Sequence, residues 1–115
     1  SLHAKYSLKS KKELKIRSDA IIIRVKYLAE KHGFTFSKIS TRLMKSRWGS
    51  CSYHNNISIN ICLSDLPQRL IDCVILHELM HTRIKNHSVY FWSELNNLVK
   101  DLKRLRKELK EDYFL

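Results

Sequence analysis

Residues 72–81 read Asp72-Cys73-Val74-Ile75-Leu76-His77-Glu78-Leu79-Met80-His81 and hold a His-Glu-x-x-His pattern. Histidines at i and i+4 lie on one helical face, one turn apart. Two imidazole nitrogens so spaced can hold one Zn²⁺ at about 2.0–2.1 Å each. Glu78 projects to the side of that pair, where it can take a proton from water rather than bind the metal. The apolar flank at 70–76 marks a buried helix. Two unpartnered imidazoles and a carboxylate would be costly there, so a metal centre is preferred over two unrelated histidines.

A third ligand is expected downstream. His87 follows His81 by the six-residue interval of the metzincin pattern, with Ile84 where that pattern has Gly. Asn86 is then the expected left-handed turn residue. Glu94 is the alternative and would make the site His₂Glu. His87 is preferred because it falls at a break between two helices, where a loop can fold back onto the His77/His81 face. Arg47, His54 and Tyr90 are candidate oxyanion partners. Trp48 and Trp92 are read as packing around the site. Cys51 is read as a buried thiol in preference to an inhibitory fourth ligand.

The chain of 115 residues fits one domain, and its apolar fraction of 43% is that of a globular protein. No apolar run approaches bilayer-spanning length, so no membrane partner is expected. No secretory signal is visible, and a start at Ser1 without Met fits a trimmed chain or a fragment. Cys51, Cys62 and Cys73 are odd in number and lack zinc-ribbon spacing. Small buried thiols in a reducing compartment, the cytoplasm, are expected. The net charge of +11 points to an anionic partner such as nucleic acid, or to solubility alone.

Residues 1–16 carry Lys5, Lys9, Lys11, Lys12 and Lys15 against Glu13 and read as a basic N-terminal arm. Residues 17–115 read as one domain. A helix is predicted over 17–32, with Ser18 as cap, Ile21, Val25, Leu28 and Ala29 on one face, and Gly33 as left-handed terminator. A strand is predicted over 37–43, a loop over 45–53 and a strand over 56–63, the two strands forming an antiparallel pair. Ser64 or Asp65 should cap a helix over 67–84 that carries the metal motif. A last helix opens at Ser88, with Phe91, Leu95, Leu98, Leu102, Leu105 and Leu109 as its buried stripe. Its other face holds Lys100, Lys103, Arg104, Arg106, Lys107 and Lys110.

Arg47-Trp48-Gly49-Ser50-Cys51-Ser52, Ile57-Ser58-Ile59-Asn60, Pro67, the 77–81 motif, Asn86-His87-Ser88 and Phe91-Trp92 occur here in one order. That order resembles YgjP-like metal-dependent hydrolases, zincin-type proteins related in architecture to the SprT-like and minigluzincin groups. The resemblance spans roughly residues 39–109. It implies an α+β fold: a small zincin-like core with a short sheet, an active-site helix and a following helix. It also implies zinc held by His77, His81 and His87, with Glu78 as catalytic base.

The leading expectation is therefore a zinc metallopeptidase acting on a peptide or protein. A nucleic-acid-associated protein, including a protease of DNA-bound proteins, is the second reading and rests on the basic surface. A catalytically silent zinc fold is the third. The intact Glu78 argues against it, since a structural site has no need of a base.

Overall fold

The computed structural model describes residues 1–115. The basic residues 1–16 are mostly helical. They form α1 (Leu2–Ser7) and the start of α2 (Lys11–His32). Ser10, rather than Ser18, caps α2, its hydroxyl accepting from the Glu13 amide at 3.1 Å. The Ser18 hydroxyl instead lies 2.6 Å from Thr41 Oγ1 on the sheet. A single aromatic anchors α1. Tyr6 is fully buried, its hydroxyl donates to Asp65 (2.5 Å), and Arg17 donates to Tyr6 (3.0 Å). Gly33 ends α2 at φ 71°, as predicted.

Three strands follow: β1 (Lys38–Arg42), β2 (Gly49–Cys51) and β3 (Asn56–Asn60), in the sheet order β1-β3-β2. The two strands legible in the sequence, β1 and β3, are parallel, with Ile39 opposite Ile57. The predicted antiparallel hairpin is corrected by β2, which falls inside the expected loop and pairs antiparallel with β3. Asn55 at φ 65° makes that hairpin turn. β3 stops at Asn60, so Ile61 and Leu63 are buried from a 3-10 turn (Ile61–Asp65) instead of from the strand. The Asn60 amide is the reason. It donates to the carbonyls of Met44 (2.9 Å) and Arg47 (2.8 Å) and accepts from the Cys62 amide (3.1 Å). These bonds satisfy a fully buried polar side chain and fix the β1–β2 loop beside the sheet.

The motif helix α3 (Gln68–Met80) starts after Pro67 and has no side-chain cap. Ser64 and Asp65 lie in the preceding turn, where Asp65 serves α1 instead. α3 is buried on most of its circumference, through Leu70, Cys73, Val74, Ile75, Leu76, Leu79 and Met80. β2, α2, α4 and α5 all pack on it. Arg24 of α2 grips Asp72 with two bonds of 2.8 and 2.7 Å.

The predicted last helix is two. α4 (Val89–Leu98) and α5 (Leu102–Asp112) are separated by Val99–Asp101, with Asp101 left-handed at φ 59°. The apolar stripe survives the break: Phe91 and Leu95 are buried from α4, Leu102 and Leu105 from α5. The bend brings α5 back onto α3, where Arg69 pairs with Glu108. No helix is long and apolar enough to cross a membrane.

Candidate metal centre

α3 carries His77 and His81 into the same space from successive turns. The chain leaves α3 through a tight turn in which the amides of Arg83 and Ile84 both donate to the Met80 carbonyl at 3.0 Å. Asn86 does not take the left-handed conformation predicted for it. Its side chain accepts from the Ser88 amide (3.3 Å), and Ser88 then caps α4. This local bonding does the work assigned to positive φ, and it returns His87 to the α3 face.

The Nε2 atom of His87 lies 3.0 Å from that of His81 and 3.2 Å from that of His77. A tetrahedral zinc with Zn–N bonds of about 2.0–2.1 Å separates its nitrogens by about 3.3–3.4 Å, so this donor set fits such an ion. The His81 Nδ1–H donates to the Ile84 carbonyl at 2.9 Å, which leaves the Nε2 lone pair directed at its neighbours. Burial, with the neighbouring histidines and Arg106, pushes His77 down to about 3, and burial also lowers His81. Both rings are therefore neutral and able to ligate. Phe91 stacks on His81 (4.4 Å between centroids) and Trp92 on His87 (5.4 Å), so α4 fixes the ring planes. Glu94 stays outside this cluster, beside Tyr90 on α4.

Glu78 is buried next to the histidines. Burial raises its carboxyl to about 7, against an opposing pull from Arg47. A cleft of about 600 Å³ opens over it, lined among others by Arg47, Trp48, Gly49, His77, Glu78 and Arg106. Of the three candidate oxyanion partners, Arg47 reaches this cleft. His54 lies on the β2–β3 turn, edge-on to Tyr53, and Tyr90 is exposed on α4. Cys51 is a partly buried free thiol at the end of β2, and Cys62 and Cys73 are buried and free. Sequence reasoning missed two neighbours of the site. Gly49 abuts Glu78, and Arg106 leans over the Trp92 ring, 3.9 Å from its centroid. The α5 basic face was visible in the sequence, but not the bend that turns Arg106 toward the site.

The family model of the YgjP-like metallopeptidase domain matches residues 5–112. The chain belongs to that family. The YgjP-like domain is similar in fold to the metallopeptidase zymogen abylysin of Pyrococcus abyssi, with TM-score 0.66 and 18% identity over 83% of this chain and 98% of that one. It is also similar to the metallopeptidase zymogen jannalysin of Methanocaldococcus jannaschii, with TM-score 0.54 and 26% identity over 89% and 94%. A third similar structure is a Wss1 mutant of Saccharomyces cerevisiae, with TM-score 0.62 and 21% identity over 92% and 90%. No curated protein matches the chain. Family and fold together make the YgjP-like domain a metallopeptidase-type α+β domain, as its sequence motifs implied.

Proposed function

We propose that this domain is a zinc-dependent peptidase in which His77, His81 and His87 hold the metal and Glu78 moves the proton. The observation that carries the reading is the convergence of three imidazoles whose ligand atoms lie within 4.8 Å of one another, with Glu78 beside His77 on α3 and lining the cleft. Three protein ligands leave a coordination position open. Zinc, when bound, supplies Lewis acidity that activates a water and polarises the scissile carbonyl.

The remaining work falls to the chain's own groups. Glu78 accepts the proton of the attacking water and returns it to the leaving amine. Arg47, which faces Glu78 from the β1–β2 loop, offers its cation to the oxyanion. β2 is an edge strand beside α3, so an extended peptide can add to it by main-chain pairing and lie across the cleft. The three free thiols fit a reducing compartment such as the cytoplasm.

Metal analysis of the purified domain, followed by a peptide-library digest before and after chelation, tests this reading. One zinc per chain and chelator-sensitive cleavage are expected. A domain that takes up no zinc, or cleaves equally well without it, would contradict it.

A second reading concerns polyanions. The lysines of the N-terminal segment are partly engaged in ion pairs, Lys5 with Asp65, Lys9 with Glu13 and Lys15 with Asp19. The exposed face of α5 keeps Lys103, Arg104 and Lys107 together, with only Asp101 near Arg104 at 3.8 Å. That face is the better candidate for sequence-independent nucleic-acid contact.

A further inference from the structure

We infer that the catalytic cleft selects peptides carrying an acidic side chain beside an apolar one, and that Arg106 and Lys110 read the acid. This inference rests on the peptidase reading and names the substrate class for the same site.

Four cationic side chains line the cleft: Lys45 and Arg47 from the β1–β2 loop, and Arg106 and Lys110 from α5. None of them pairs with a carboxylate. The only acidic side chain in the lining is the buried Glu78. Arg106 and Lys110 stand one turn apart on α5 and so share a face. A concave site walled by low-dielectric groups concentrates the field of such charges. An incoming carboxylate would meet at least two unpaired donors, and a lysine side chain would meet four like charges.

Arg106 is held in place. Its guanidinium lies 3.9 Å from the centroid of the Trp92 ring, and Trp92 stacks in turn on His87. The cation is thus one aromatic ring away from the metal-centre histidines, and its charge reaches His77. Much of the remaining wall is apolar, from Trp48, Val74, Leu109 and Tyr113. An acid flanked by an apolar residue matches both surfaces. The cations assigned above to polyanion contact, Lys103, Arg104 and Lys107, belong to a different depression shared with Asn96 and Asp101. The two basic surfaces can therefore be separated by mutation.

The test measures binding apart from turnover. Zinc-loaded Glu78→Gln protein is titrated with two peptides that differ only in Glu or Gln beside a Leu, using fluorescence anisotropy. The Glu peptide should bind about threefold tighter or better, as expected for a carboxylate meeting two exposed cations. The Arg106→Gln/Lys110→Gln double variant on that background should lose the preference with its zinc content unchanged. Lys110→Gln alone should reduce it, which covers the case in which loss of the Arg106–Trp92 stack unsettles the double variant. Arg106→Lys should keep part of it. Equal binding of the two peptides, or a preference untouched in both glutamine variants, would overturn the inference. With the unmutated residue Glu78, the same preference should appear in kcat/KM. If the Glu peptide binds preferentially yet no peptide is ever cleaved, the anion-reading subsite stands and the peptidase reading falls.

Discussion

Gly49 lies flat against Glu78: a methyl group added at Gly49 would meet Glu78 Cγ at 2.9 Å and Oε2 at 3.1 Å. The edge strand and the motif helix approach this closely because one of the facing residues has no side chain. Gly49→Ala should therefore push the carboxylate off its position while leaving the histidines untouched. Zinc content should be retained and hydrolysis should fall by roughly 10- to 100-fold, the scale set by ångström-sized misplacement of a reacting group. Metal analysis and steady-state kinetics on the same preparation check both halves.

The third ligand can be decided by a pair of variants. His87→Ala should lose zinc, whereas Glu94→Gln should keep it, because Glu94 stays outside the cluster. Since metal binding to the folded state is linked to stability, a chelator should lower the Tm of the parent protein and have little effect on His87→Ala. Differential scanning fluorimetry with and without chelator reads this directly.

Asp65 joins α1 to the rest of the domain and gives it a pH dependence. Burial acts to raise the Asp65 carboxyl, but hydrogen bonds from Lys5 and Tyr6 outweigh it and hold the group below its usual value. Its stabilisation is thus present above about pH 3.9, the ordinary Asp pKa, and is lost as pH falls through the lower folded-state value. Burial and Asp65 raise the Tyr6 hydroxyl, so its contribution is complete below about pH 10 and declines as pH rises from there toward the raised folded-state value. Tyr6→Phe should cost on the order of 1.5–3 kcal/mol at pH 7, the range for a bond to a charged group. It should cost less at pH 2–3. Urea denaturation at the two pH values measures the difference.

Neutralising Lys103, Arg104 and Lys107 together should weaken binding to duplex DNA at low ionic strength and flatten its salt dependence. Zinc content and peptide cleavage should not change, because these residues do not line the catalytic cleft. An unchanged DNA affinity in the triple variant would remove α5 as the contact.

The parts of this fold that were legible in the sequence are those with local causes. Gly33 ends α2 because a left-handed terminator favours glycine, and β1 and β3 show as runs of β-forming residues. The proximity of His87 to the His77/His81 face followed from its place at a helix break. β2 was not legible, since Gly49-Ser50-Cys51 carries no β-branched residue and is a strand only because β3 pairs with it. The parallel relation of β1 to β3 depends on that hidden strand. The bend at Asp101 has no Gly or Pro to announce it, and the leucine stripe runs through it unbroken. The start of α2 was hidden by the lysine-rich first turns, whose charges mask the apolar period. The contacts of Gly49 with Glu78 and of Arg106 with Trp92 are long-range and have no local signature.

In the proposed mechanism Glu78 does the chemistry while the histidines hold the metal, and Glu78→Gln separates the two roles. The substitution keeps size and shape and removes the proton-accepting charge. Zinc content and peptide hydrolysis are measured together. One zinc per chain, an unchanged fold and hydrolysis reduced by on the order of 10²–10⁴-fold are expected. Full activity with zinc bound, or loss of zinc equal to that of His81→Ala, would contradict it.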